Sequence, residues 1–202
     1  MKDLGEASHI LRIKLIRDCQ KRMLGLSQAT YIDQVLIRFS RQDSKNGLVP
    51  FRLGNPLSSN QCPKTHAEIE RMRGIPYASA VGSLMYAMLC TRPDICFAVG
   101  MVSRYQSDPS EEHWIAVKHI LKYLRRTRDY MLVYHDESLE PVGYTDSDFQ
   151  SDIDSRKSTS GYVFTLGGAA ISWRSVKQTS IADSTMEAEY IAASEVAKEA
   201  VC

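Results

Sequence analysis

Apolar and polar positions along this chain follow two periods, short at both ends and long in the middle. Residues 9–16 alternate in part, with Leu11, Ile13 and Leu15 set against Arg12 and Lys14. The polar run 17–22 and a short apolar segment, 23–26, come next, a pattern that predicts a β-hairpin. From Ser27 the spacing lengthens, and Ile32, Val35, Leu36 and Phe39 form the stripe of a helix. Between Ser40 and Arg73 the pattern fades into Gly47, Pro50, Gly54, Pro56, Pro63 and a Ser58-Ser59-Asn60 cluster, the composition of a loop or linker. Residues 77–127 return to helical spacing. A first helix over about 77–89 carries Ala78, Gly82 and Ser83 beside Val81, Leu84, Met85 and Met88, and small residues there imply close helix–helix contact. Thr91-Arg92-Pro93-Asp94 restarts a helix with proline near its first turn. Asp108-Pro109-Ser110-Glu111 starts another, with Asp108 as N-cap and Glu111 as the capping-box acid. That third helix is expected to bury Trp114, Val117, Leu121 and Leu124.

The last third returns to the period of two. Val142, Tyr144 and Asp146 share one face of an extended strand. Two β-rich runs, 160–166 and 170–173, flank Gly167-Gly168 as a hairpin turn. A helix follows, with Ser184 as N-cap and Glu187 at the capping-box position. Its apolar stripe reads Met186, Tyr190, Ala193, Val196, Ala197 and Ala200, and Glu189 falls on it. A carboxylate aimed at a sheet is costly unless something compensates its charge. Asp146 and Glu189 converging would suit a divalent cation with oxygen ligands.

Composition narrows the picture a little. The 202 residues are 44% hydrophobic and 24% charged, an ordinary globular balance, with a net charge of +1. Affinity for a polyanion must therefore come from a local patch. Lys118, Lys122, Arg125 and Arg126, with Arg128 beyond, make such a patch with no acid among them. The row is either a solvated face or a phosphate-backbone contact. Five cysteines without a Cys-x-x-Cys pair, and no signal peptide, point to a reduced, intracellular and cytoplasmic setting. The most apolar region, 75–89, is too short to span a bilayer, so no membrane partner is expected. Asp148, Asp152 and Asp154 read as a polar loop, Glu187 as a cap, and the five histidines lack metal-ligand spacing.

The segments Gly143-Tyr144-Thr145-Asp146-Ser147-Asp148, Arg156-Lys157-Ser158-Thr159-Ser160-Gly161-Tyr162, Ile171-Ser172-Trp173 and Ser184-Thr185-Met186-Glu187-Ala188-Glu189-Tyr190-Ile191-Ala192 together resemble the ribonuclease H domain of copia-type long-terminal-repeat retrotransposon polyproteins. Met1-Lys2-Asp3-Leu4-Gly5-Glu6-Ala7 and Leu26-Ser27-Gln28 resemble the end of the reverse-transcriptase palm in the same polyprotein, although Arg12 stands where that pattern has glycine. The stretches 77–86, 90–95 and 112–114 resemble its connection region.

The resemblance implies an α+β chain. Residues 1–40 would end the palm and begin the thumb, 41–76 would be a loop or linker, 77–135 helical thumb and connection, and 136–202 three strands and the first helix of a ribonuclease H-like fold. It implies Asp146 and Glu189 as the first two acids of a two-magnesium site, with two further aspartates expected beyond Cys202 and the polymerase acids before Met1. The parent activity implied is hydrolysis of RNA in an RNA–DNA hybrid. The expected partners are that hybrid or another nucleic acid and the remainder of the polyprotein, in the cytoplasm or inside a retroelement particle. By itself this stretch is expected to be inactive. A non-catalytic nucleic-acid-binding remnant is the rival expectation.

Overall fold

The computed structural model describes residues 5–52, 56–135 and 139–201; residues 1–4 of the palm-end motif, Gly54 and Cys202 lie outside them. The chain opens with three antiparallel strands, β1 (His9–Ile10), β2 (Ile13–Asp18) and β3 (Met23–Ser27). Between β1 and β2, Leu11 and Arg12 both take left-handed conformations, φ 47° and 63°. A two-residue hairpin of this hand asks for positive φ at both positions, which glycine meets without steric cost. Arg12 holds the conformation with outside help. Its guanidinium lies 5.9 Å from the Tyr31 ring centroid, and the Tyr86 hydroxyl donates to the Leu11 carbonyl.

Helix α1 (Ala29–Arg38) buries Tyr31, Ile32, Val35 and Leu36, and Phe39 is buried at its C-cap, so the expected stripe is met with Tyr31 added. The stretch expected as a loop holds α2 (His66–Arg73), capped at Thr65 with Glu68 closing the box. Helix α2 buries none of its residues, so it has no apolar stripe to betray it, although Thr65-x-x-Glu68 is a legible cap. Two other points of this stretch are pinned to the helices. Tyr105 donates to the Leu57 carbonyl (2.9 Å), and the Gly47 amide donates to Lys122 (3.0 Å).

Helices α3 (Tyr77–Cys90), α4 (Cys96–Ser103) and α5 (Glu111–Arg126) then pack with α1 around the main apolar core, which centres on Val81, Leu84, Val99, Ile120 and Leu121. The N-cap of α5 is Ser110, not Asp108. The His113 ring takes the place expected for Glu111, its Nδ1 accepting from the Ser110 amide (2.9 Å). Full burial of both residues selects this register.

Arg92, between α3 and α4, is 1% exposed. Its Nε and Nη2 donate to the Asp94 carboxylate (2.9 and 2.7 Å), and Nη1 donates to the Thr127 carbonyl (3.0 Å). The Tyr123 and Tyr130 rings lie 5.7 and 5.8 Å from the guanidinium. Next to it Thr91 donates to Gln28 (2.8 Å) at the start of α1. Thr91-Arg92-Pro93-Asp94 is thus the knot that joins the entry of α1, the break between α3 and α4, and the exit of α5.

Strand β4 (Met131–Tyr134) corrects the expectation of helix throughout 77–135: it pairs with β3 and completes a four-stranded sheet in the order β1-β2-β3-β4. A second antiparallel sheet consists of β5 (Val142–Asp148), β6 (Thr159–Leu166) and β7 (Ala169–Lys177). Gly167 and Gly168, φ 55° and 82°, form the expected turn between β6 and β7. Gly143 admits no side chain, because a Cβ there would stand 2.6 Å from the Phe164 ring. The two sheets meet where Tyr134 donates to the Ala170 carbonyl (2.8 Å) and the His135 amide to Gly167 (2.9 Å).

The last helix, α6 (Thr185–Val201), packs on this second sheet through a different face from the expected one. Ala188 and Ala192 are fully buried, whereas Met186 and Tyr190 are 78% and 75% exposed. Alanine lets the helix axis come close enough for Gln178 to bridge the Ala188 carbonyl and the Ser160 hydroxyl, both at 2.9 Å. Ser184 caps α6 as expected, accepting from the Glu187 amide (3.1 Å).

Asp94→Ala should cost on the order of 3 kcal/mol, because it strands a buried guanidinium. Asp129→Ala, at a carboxylate 82% exposed, should be close to neutral. Urea unfolding of both variants checks this, and equal losses would remove Arg92 from its central place.

Candidate functional site

Strand β5 pairs with β6 alone among the described strands, in the register Tyr144↔Val163, Asp146↔Gly161 and Asp148↔Thr159. Alternation therefore turns Tyr144, Asp146 and Asp148 to one face and Thr145 and Ser147 to the other. The first face looks into a cleft of about 580 Å³ whose far wall is Pro93, Asp94, Cys96 and Phe97. Trp173, across from Val163, closes one side and donates its ring N–H to the Met88 carbonyl (3.0 Å). Asp146 is exposed on this face, and its Oδ1 accepts from the Ser147 amide (2.9 Å).

Glu189 is also exposed, rather than turned into the sheet. Helix α6 covers the face that carries Ser160 and Ser172, for Ser172 donates to Glu199 (3.1 Å) and Gln178 ties Ser160 to Ala188. The expected burial of Glu189 fails because the helix packs through alanines one position away. Asp146 and Glu189 lie on neighbouring elements but share no hydrogen-bond partner among the described residues. Among the described residues no group of three or more His, Cys, Asp or Glu could hold a metal ion. Asp94 and Asp148 line the same cleft as Asp146.

Asp152 and Asp154 serve the scaffold. Asp152 is 2% exposed and pairs with Arg104 (3.0 Å) and Lys177 (3.1 Å), joining the end of α4 to the second sheet. Desolvation pushes its carboxyl pKa up, but the Ser155 hydroxyl, Lys177 and Arg104 outweigh this and hold it below the usual range. Asp154 accepts from the Ser59 amide (2.9 Å) and from Tyr105 (3.2 Å). The polar-loop reading of these acids missed their partners, which come from residues far away in sequence.

The basic row lies on α5. Lys118, Lys122 and Arg125 are half-buried, Arg126 is exposed, and none of the four forms an ion pair among the described residues. Arg128 differs, being tied to Asp33 at 2.9 Å. Sequence reasoning missed Arg52, which comes from the expected loop. Burial lowers the His119 pKa, and the Arg52, Lys122 and Lys118 charges lower it further. Arg52 and His119 line one pocket beside α5.

The scaffold is α+β with two antiparallel sheets, and it carries an exposed acidic cleft and a basic row on α5. Comparison with known proteins narrows this. Over its whole length the chain is 51% identical to 201 residues of a retrovirus-related Pol polyprotein from transposon TNT 1-94 of Nicotiana tabacum, where it spans 15% of that protein. It is 36% identical, over 94% of its length, to the Pol polyprotein of transposon RE1 of Arabidopsis thaliana, and covers 12% of that protein. It is 49% identical, over 64% of its length, to secreted RxLR effector protein 161 of Plasmopara viticola, and covers 92% of it. The whole length of the chain is thus similar to a small part of retrovirus-related Pol polyproteins from plant transposons. No protein-family model and no solved structure matches it. No helix among the described residues is long and apolar enough to cross a membrane.

Stability should fall in two stages on acidification. His113 is fully buried, and desolvation lowers its pKa, so its contribution is complete above about pH 6.5 and is lost as pH falls through the folded value. Asp152, with its lowered carboxyl pKa, contributes above about pH 4 and loses that contribution as pH falls further. Asp152→Asn should lower the melting temperature at neutral pH and flatten the second stage. Calorimetry from pH 3 to pH 8 reads both, and an unchanged profile would refute the assignment.

Proposed function

We propose that this chain is the junction of reverse transcriptase and ribonuclease H in a copia-type Pol polyprotein. In this reading it grips an RNA–DNA hybrid along α5 and supplies Asp146 and Glu189 to hybrid cleavage. The observation that carries the reading is the 51% identity to a transposon Pol polyprotein across the entire chain. Lys118, Lys122, Arg125 and Arg126 would contact phosphates without regard to base sequence, since none of the four forms an ion pair among the described residues.

Asp146 and Glu189 offer the hard oxygen donors that magnesium prefers, and both are open to solvent. Two carboxylates are too few for a metal pair, so the remaining ligands would come from acids outside this chain and from substrate phosphate. Magnesium bound there would supply charge stabilisation to the phosphate under attack and an activated water. The chain's own part is to fix Asp146 on a paired strand, with the Ser147 amide on its carboxylate, and to wall the cleft with Trp173 and Phe97.

A second reading is a nucleic-acid-binding remnant without catalysis. It is favoured by the Plasmopara viticola relative, 92% of whose length corresponds to this chain.

Replacing Lys118, Lys122 and Arg125 with glutamine should weaken binding to a hybrid and lower the slope of log affinity against log salt by about 2–3. Fluorescence anisotropy at several salt concentrations measures it, and an unchanged slope would remove α5 from the interface.

Joined to the downstream segment of the Nicotiana tabacum relative, the chain should cleave the RNA strand of a hybrid. Asp146→Asn and Glu189→Gln should each abolish cleavage, while Glu187→Gln, at a residue whose carboxylate accepts from the Asp183 amide (2.7 Å), should leave it nearly intact. If Glu187→Gln abolishes cleavage and Glu189→Gln does not, the assigned acid is on the wrong face of α6. Hybrid binding with no cleavage in the joined protein selects the remnant.

A further inference from the structure

The start of α5 is held by a titratable ring that solvent does not reach. His113 is fully buried, and its Nδ1 accepts from the Ser110 amide (2.9 Å), which fixes the neutral ring's proton on Nε2. The Ser58 backbone faces the ring, but no described group hydrogen-bonds Nε2 at normal length. The Tyr105 ring stacks on the imidazole, with centroids 4.1 Å apart and planes at 9°. Tyr105 in turn donates to the Leu57 carbonyl (2.9 Å) and to Asp154 (3.2 Å), and Asp154 accepts from the Ser59 amide (2.9 Å). One ring therefore supports the cap of α5, the 56–61 turn and a link to the second sheet.

No carboxylate is placed to receive a second proton from this ring. Glu112 on α5, Asp108 ahead of it and Asp154 in the acidic loop act on His113 through charge alone, without a hydrogen bond. From α2, Glu68 and Arg71 line the hollow beside Ser110. Tyr105, Tyr77 and Cys62, whose pKa values burial pushes up, stay neutral near pH 6.

We propose that His113 is an acid-sensitive clasp: a proton taken up at Nδ1 breaks the cap of α5 and, through Tyr105, frees the 56–61 turn. The proton comes from solvent, Nδ1 becomes a donor, and the Ser110 amide is left facing it. Ser110 Oγ, 3.1 Å away, can take the new N–H but leaves that amide stranded. A buried charge without a partner is costly, so the imidazolium favours a state in which the first turn of α5 has opened to water. Burial outweighs the three carboxylates and lowers the pKa of the closed ring, while an opened ring keeps its ordinary value near 6.5. The clasp is therefore fully favoured above about pH 6.5. Below it, opening gains up to about tenfold per pH unit until the closed ring itself titrates. The tie of Asp152 to Arg104 and Lys177 rests on a carboxylate whose pKa is held low, so the second sheet stays attached when the clasp opens.

The test uses the full chain and needs no ligand. Nitrogen-15 shifts of the His113 ring at pH 8 should report the Nε2–H tautomer, and the Nδ1–H tautomer overturns the proposal. Two amides read the clasp: Ser59, on Asp154, and Trp114, on the Ser110 carbonyl (3.0 Å). In hydrogen exchange, corrected for the intrinsic rate, both should open about 5- to 10-fold more often at pH 5.5 than at pH 7.5. Because the opening is local, dilute urea should leave their exchange unchanged while it speeds that of the Ile32 amide in the core of α1. His113→Gln keeps a side-chain acceptor at the same place in the capping box, and should remove the pH dependence with both amides still protected.

A pH dependence that survives in that variant overturns the proposal. So does a urea response at Ser59 and Trp114 equal to that at Ile32, which would make the loss global. Should the glutamine variant not fold, the tautomer and the urea response of the wild-type chain decide.

Discussion

A guanidinium removed from water must have its charge and donors answered inside the protein, and most of this structure is arranged around Arg92 for that reason. Asp94 answers the charge, and the Thr127 carbonyl takes a further donor. Tyr123 donates to Asp94 at 2.8 Å and stands over the guanidinium; desolvation and the Asp94 carboxylate push its hydroxyl pKa up to about 12. These bonds fix the angle between the α3–α4 break and the end of α5. They also set Asp94 on the wall of the cleft that faces Asp146. The position of the candidate site is thus a consequence of where one buried cation had to be satisfied.

A second set of charges joins the helices to the strands. Asp152 holds Arg104 and Lys177 together, Arg104 also donates to Thr159 (3.3 Å), and Asp154 reaches Ser59 and Tyr105. One acidic loop therefore ties α4, β6, β7 and the 56–61 turn to a common point. The apolar side chains left on the outside, Met186 and Tyr190 on α6 and Tyr144 on β5, are large. The buried contacts of α6 are alanines, whose small size lets a hydrogen-bonded approach replace bulk packing.

Much of this was legible in the residues. Helical spacing located α1, α3 and α5, and the Gly167-Gly168 turn and its flanking β-rich runs located β6 and β7. Leu11-Arg12 shows why a family pattern prefers glycine at a turn, and why an arginine can stand there when Tyr31 and Tyr86 support it. Helix α2 escaped periodicity because it buries nothing, and β4 escaped it because four residues are too few to show a period.

The sequence by itself determined the period of each long element, the caps at Thr65 and Ser184, and the acids and cations available for chemistry. These follow from local backbone preference and from spacing, both of which a linear pattern carries. Only the tertiary structure decided which face of α6 meets the sheet, since a stripe of Met and Tyr and a stripe of alanines are both apolar and distance to the sheet chooses between them. It alone converted Asp152 and Asp154 from loop acids into cross-links, and brought Arg52 to the pocket that His119 lines, across a long separation in sequence. Each of those outcomes depends on a partner distant along the chain, and such partners exist only once the core has closed.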